Sequence, residues 1–161
     1  MNARPRILVA GIGNIFLGDD GFGCAVAGRL AEQQLPGHVR VHDFGTRVLD
    51  LAFEMTAGWD AAILLDLSAR GGAPGTLYLL DPRPDVSAMP PPGHALQLEP
   101  ALALARRLGN LPALVRILGC EPSTDGCAEL NGLSPAVADA VLPAARMVEA
   151  LVAELGGACH A

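Results

Sequence analysis

The chain lacks most of what would place it with nucleic acids, membranes or secreted proteins. Against 17 Asp and Glu it has 11 Lys and Arg, a formal charge of −6. No basic cluster could neutralise a row of phosphates, which excludes nucleic acid as a partner. No uninterrupted apolar run approaches the roughly 18 residues needed to span a bilayer. The opening MNARPR has no apolar stretch of the signal-peptide kind, so a cytoplasmic protein is expected. Cysteines are few: Cys24, Cys120, Cys127 and Cys159 form no Cys-x-x-Cys pair. In a reducing compartment they are expected as free thiols, and a structural zinc site is not expected. There is no internal repeat and no low-complexity segment. The 161 residues, 51% hydrophobic, suit one domain spanning 1–161 with a single core.

What is present centres on Arg6 to Leu30. Ile7-Leu8-Val9-Ala10 has the continuous apolar character of a strand buried on both faces. A glycine-rich turn follows, and then a helical pattern through Phe22, Val26 and Leu30. Strand, glycine turn and helix frame a site at the carboxyl end of a parallel sheet. Two common occupants are excluded by the residues themselves. The third glycine of G-x-G-x-x-G is replaced by Phe16. Gly13 and Gly18 have phosphate-loop spacing, but Asp19 and Asp20 stand where Lys and Ser or Thr are needed. Two carboxylates there would repel a phosphate by roughly a kcal/mol or more each at a few ångströms. The loop suits a cation or a proton. Alternatively, the acids cap the helix and complement its dipole.

The run Gly11-Ile-Gly-Asn-Ile-Phe-Leu-Gly-Asp-Asp-Gly-Phe-Gly resembles the amino-terminal signature of the [NiFe]-hydrogenase maturation proteases. The resemblance implies a cytoplasmic endopeptidase that removes the carboxy-terminal tail of the hydrogenase large-subunit precursor after nickel insertion. It implies a three-layer α/β/α sandwich, phosphorylase/hydrolase-like, around a five-stranded mostly parallel sheet with one antiparallel strand. Thr76 to Leu80 is the expected antiparallel strand, and the expected working unit is a monomer.

Further along the chain, Val39 to Phe44 alternates as a second strand, and Thr46 is placed to cap a helix over Val48 to Met55. Asp43-Phe44-Gly45-Thr46 resembles the D-x-G-T box of the same family, which implies a substrate-binding role for Asp43, Gly45 and Thr46. A third strand, Trp59 to Asp66, ends in an acid. Buried unpaired, Asp66 would be costly, so it is expected at the strand's mouth facing water, a partner or a metal. Five prolines between Asp81 and Gly93 make a stiff arm leading to His94. A helix with Leu98, Leu102, Ala105 and Leu108 inward stops at Gly109. Ala113 to Cys120 reads as the fifth strand, and Gly119-Cys120-Glu121-Pro122 resembles the family's G-x-x-P element. Ser134-Pro135 opens a last helix, with a kink expected at Pro143.

By the same resemblance, Asp20, Asp66 and His94 are the metal-contacting and catalytic residues. Two carboxylates and one imidazole suit nickel, zinc or cadmium and leave positions open for water or partner groups. The expected metal is nickel carried by the substrate, with no organic cofactor. Asp19 is the spare acid, placed to cap the helix or to hold Asp20. Two other readings compete, an autonomous metallohydrolase and a nickel-binding escort protein without peptidase activity. Serine-nucleophile chemistry is poorly supported because no G-x-S-x-G elbow occurs, and cysteine chemistry because Cys24 falls inside the first helix.

Overall fold

In a computed structural model the described residues are 3–82, 98–124 and 132–157. Strand β1 spans Ile7–Ile12, and a 3-10 turn over Gly18–Gly21 leads into helix α1, Phe22–Ala31. Next come β2 (Val39–Gly45), α2 (Val48–Met55), β3 (Ala61–Leu67) and β4 (Leu77–Leu80). Helix α3 (Leu98–Leu108), β5 (Leu114–Cys120) and α4 (Pro135–Gly157) complete the order. The five strands form one sheet, β2-β1-β3-β5-β4. Every pairing is parallel except β4 with β5, which is antiparallel. The expected antiparallel strand is therefore found, over Leu77–Leu80, at the edge of the sheet.

Alternation along buried strands divides the core into two layers. Ile7 and Val9 of β1, with Ala61, Ile63 and Leu65 of β3, pack against Phe22, Val26 and Leu30 of α1 and Val137, Ala144 and Val148 of α4. Leu8, Ala10 and Ile12, with Ala62 and Leu64, pack against Leu51 and Met55 of α2 and Leu98, Leu102 and Ala105 of α3. The sheet is thus covered on both faces, which is why β1 and β3 are apolar as far as their carboxyl ends. Each fully buried large side chain, such as Phe22 or Leu64, contributes about 1.5–3 kcal/mol of apolar transfer.

Three local expectations are corrected. Leu108, expected inward at the end of α3, is exposed. Trp59 precedes β3 rather than opening it; it is buried beneath the Arg6 guanidinium, 4.5 Å from the ring centroid. Thr46 does not cap α2: Arg47 occupies that position, no side chain caps the helix, and Thr46 is exposed. Here the Thr46 carbonyl accepts from Val48 N at 2.9 Å, so the chain enters α2 through a tight backbone turn. Helix α4 is continuous through Pro143, which lies on its exposed side where water can satisfy the freed carbonyl. Among the described residues no helix is long and apolar enough to cross a membrane.

Strand β1 leads by α1 to β2 on one side, while β3 lies on the other. The strand order therefore reverses between β1 and β3, and the crevice beyond their carboxyl ends is where ligands bind in sheets of this kind. Asp20 follows β1, and Asp66 is the penultimate residue of β3.

Candidate functional site

Close backbone packing sets the position of the acidic loop. Gly23 begins α1 so near the ends of β1 and β3 that an added Cβ would overlap the carbonyl oxygens of Leu65 and Ile12. Gly13 has φ +139°, and a Cβ there would overlap the Asp20 carbonyl. Glycine is required at both places, one for backbone conformation and contact, the other for contact alone. The loop between them is tied across its neck. Asn14 N donates to Asp20 Oδ2 at 2.8 Å, and Asp20 N donates to the Leu17 carbonyl at 3.1 Å.

Asp66 is only 4% exposed. Among the described residues its carboxylate receives one hydrogen bond, from Leu67 N to Oδ1 at 2.8 Å. Burial pushes its pKa up to about 7; the Leu67 N–H opposes the rise and the nearby Asp20 charge adds to it. Asp20, in the loop after β1, is therefore close enough to Asp66, at the end of β3, for its charge to disfavour a second anion there. Such a pair is stabilised by sharing a proton or a cation.

A third acid lies beside them on β2. The register of β1 and β2 shifts between Gly11 and Ile12, pairing Gly11 with Asp43 but Ile12 with Gly45. This bulge leaves Phe44 to enter the α2/α3 core. Gly45, at φ +56°, turns so that its N–H donates to Asp43 Oδ1 at 2.9 Å while its carbonyl accepts from Gly13 N at 3.0 Å. The Asp43-Phe44-Gly45-Thr46 segment is therefore laced to the loop that carries Asp20. Between them lies Cys24, whose thiol donates to the Gly13 carbonyl at 3.5 Å. Burial, followed by the carboxylates of Asp43 and Asp20, pushes this thiol up to about 12. It cannot supply a thiolate nucleophile near neutrality.

Asp19 departs from both roles expected of it. It is 3% exposed and no side chain caps the 3-10 turn or α1. Its carboxylate accepts from Ser123 N at 2.9 Å, Ser134 N at 2.7 Å and Ser134 Oγ at 2.9 Å. It binds the loop after β5 and the start of α4 to the acidic turn. Glu121 was also not expected as an anchor. It accepts from Arg70 N and Tyr78 Oη, at 2.8 and 2.9 Å, and from Gly71 N at 3.2 Å. Burial would raise its pKa, but these hydrogen bonds outweigh that and hold it below the usual carboxylate range. In the sequence Asp19 stood out only as the spare acid of the glycine loop and Glu121 only as part of Gly119-Cys120-Glu121-Pro122.

His94 lies outside the described residues, as does the proline-rich stretch before it from position 83 on. Among the described residues no group of three or more His, Cys, Asp or Glu is arranged to hold a metal ion. The structure thus places Asp20 in the loop after β1 and Asp66 at the end of the neighbouring β3, with Asp43, Gly45 and Thr46 at the end of β2.

Fold and site together define an α/β protein with an acidic crevice at the topological switch point of a doubly covered sheet. Residues 24–151 match the family model described as hydrogenase maturation protease. The chain is 32% identical to the Hydrogenase 2 maturation protease of Escherichia coli K12, over 94% of this chain and 93% of that one. It is 34% identical to the hydrogenase expression/formation protein HupD of Rhodobacter capsulatus, over 73% of this chain, and spans 57% of that relative's length. Among solved structures it superposes on the E. coli hydrogenase maturating endopeptidase HybD with a TM-score of 0.78 and 31% identity, covering 94% of both chains. The chain belongs to the hydrogenase maturation protease family, a family of endopeptidases.

Proposed function

We propose that this protein cleaves the carboxy-terminal extension from a [NiFe]-hydrogenase large-subunit precursor, and that it does so by engaging nickel already held in that precursor. The observation that carries the reading is the placement of Asp20 after β1 and of nearly buried Asp66 at the end of β3, at the mouth of the crevice between these strands. A divalent ion offered by a partner would relieve their repulsion and the cost of burying Asp66 as an anion. The donor set fits: two carboxylates from fixed elements, with His94 as the third ligand, four residues ahead of α3 in sequence. Helix α3 packs on the sheet face to which the alternation of β3 assigns Asp66.

When engaged, the ion supplies Lewis acidity and a fixed point for the scissile segment. Asp20 is held through Oδ2 by Asn14 N, and Asp66 is available to take a proton near neutral pH. Asp43, Gly45 and Thr46 form the adjacent rim and are assigned to recognition of the precursor backbone. Zinc or cadmium would fit the same donors in place of nickel.

The test is incubation with nickel-loaded and nickel-free precursor, followed by mass spectrometry of the large subunit. Cleavage of the loaded form alone is expected. Cleavage of both would indicate an autonomous metallohydrolase, and binding of nickel without cleavage of either would indicate an escort protein. Asp20→Asn, Asp66→Asn and His94→Ala are each expected to abolish cleavage while the protein remains folded.

A further inference from the structure

Three consecutive large apolar residues stand in solvent beside the acidic crevice. Ile15 is 57% exposed, Phe16 78% and Leu17 49%. None belongs to either core cluster. Among the other exposed large apolar residues described, Leu49 and Phe53 lie one turn apart on α2, while Leu79, Leu108 and Leu142 occur singly and need no explanation. A run of three does, because such a run weakens solubility without stabilising the fold.

The loop is stiffly built. Asn14 Oδ1 accepts from Phe16 N at 3.0 Å, and the Asn14 carbonyl accepts from Leu17 N at 3.0 Å. Both ends are fastened to Asp20, through Asn14 N and the Leu17 carbonyl. Ile15 lies against Gly21, where even a Cβ would approach its Cα to 3.3 Å. Held in this way, the apolar side chains are displayed at fixed positions within five residues of Asp20. The neighbouring rim carries Asp20, Asp43 and Asp66, so an acidic partner segment would be repelled there.

We infer that Ile15, Phe16 and Leu17 form an apolar docking ridge for an uncharged, apolar segment of the precursor flanking its metal-bound site. This rests on the peptidase reading and adds to it a surface that secures substrate without taking part in the chemistry. Such a contact is made equally in the ground and transition states, so its loss raises KM and leaves kcat unchanged.

The experiment compares wild type, Phe16→Gln, Phe16→Leu and a distant control, Phe53→Gln, using the nickel-loaded large-subunit precursor of the hydrogenase co-expressed with this chain. Phe16→Gln is expected to raise KM about tenfold or more, from the lost burial of one aromatic side chain, with kcat within about twofold. Phe16→Leu is expected to recover most of the loss, and Phe53→Gln to match wild type. Wild-type kinetics for Phe16→Gln would overturn the inference. So would a fall in Tm, which would place the loop against its own chain, or a shift from dimer to monomer in sedimentation, which would make the ridge a self-association surface. If wild type cleaves nothing, the peptidase reading fails. The ridge is then tested by precursor binding alone, where equal affinity for wild type and Phe16→Gln would overturn it.

Discussion

Asp19 and Ser134, 115 positions apart, are joined by two hydrogen bonds: Ser134 N donates to Asp19 Oδ1 at 2.7 Å and Ser134 Oγ donates to Oδ2 at 2.9 Å. Ser134 in turn starts α4, its carbonyl accepting from Ala138 N at 2.8 Å. One buried carboxylate therefore joins the acidic turn, the loop after β5 and the last helix. Removing it leaves backbone donors facing a low-dielectric interior, where each lost partner is costly. Asp19→Ala is expected to destabilise the fold by about 1–3 kcal/mol. Ser134→Ala is expected to cost less, about 1 kcal/mol, because the backbone donor retains its acceptor. Urea denaturation of both variants and the double variant checks this. The double variant should lose less than the two singles together, since the pair shares one interaction.

Why this tie escaped the sequence, when the site next to it did not, is a matter of range. The acidic glycine loop, the apolar β1 and the acid ending β3 are local patterns, readable from residues a few positions apart. So was the edge strand Leu77–Leu80, set off by the glycines and proline before it. The partners of Asp19 lie more than a hundred positions away, and no local rule names them. Glu121 is similar: its fastening of Arg70, Gly71 and Tyr78 depends on β4 folding back antiparallel beside β5. Thr46 failed differently. Helix α2 begins at Val48 as expected, so the cap position falls on Arg47, and Thr46 lies one residue too early to fill it.

Asp66 makes stability depend on pH in a defined direction. Its pKa is raised by folding from 3.8 to about 7, so the folded chain binds this proton more tightly than the unfolded chain. Its contribution is most favourable below about pH 4 and is lost as pH rises to about 7, beyond which it is constant. Asp66→Asn removes the buried anion while keeping an oxygen for Leu67 N. Its advantage over wild type should grow through that window and level off above it, at up to a few kcal/mol. Urea titrations at pH 5 and pH 8 in the presence of EDTA measure the difference. An Asn variant less stable than wild type at pH 8 would show that the carboxylate is held by more than Leu67 N.

The buried thiols should be unreactive in the folded protein. Burial raises both Cys24 and Cys120 to about 12, with Asp43 and Asp20 adding to the first and Asp19 and Glu121 to the second. At pH 8 the thiolate fraction of each is then about one in ten thousand. Iodoacetamide followed by peptide mass spectrometry is expected to leave both unmodified until urea is added. Cys24→Ser is expected to retain peptidase activity, which separates a packed thiol from a nucleophile.

The glycines of α1 divide into one that the site cannot lose and one it can. At Gly23 a methyl group would overlap the carbonyls of Leu65 and Ile12, the ends of the two strands that flank the crevice. Neither carbonyl can move without disturbing the sheet, so the amino end of α1 must lift and carry Asp20 away from Asp66. Gly23→Ala is expected to destabilise the fold by about 1–3 kcal/mol or more and to reduce cleavage beyond what the stability loss explains. Gly28, five residues along the same helix, is exposed and has open space where its Cβ would be. There the helix preference of alanine dominates, and Gly28→Ala is expected to stabilise by about 0.5–1 kcal/mol with activity unchanged. Thermal melts and cleavage assays on the two variants read both effects. Similar behaviour at the two positions would mean that α1 does not press on the strand ends, and that the spacing of Asp20 and Asp66 is set elsewhere.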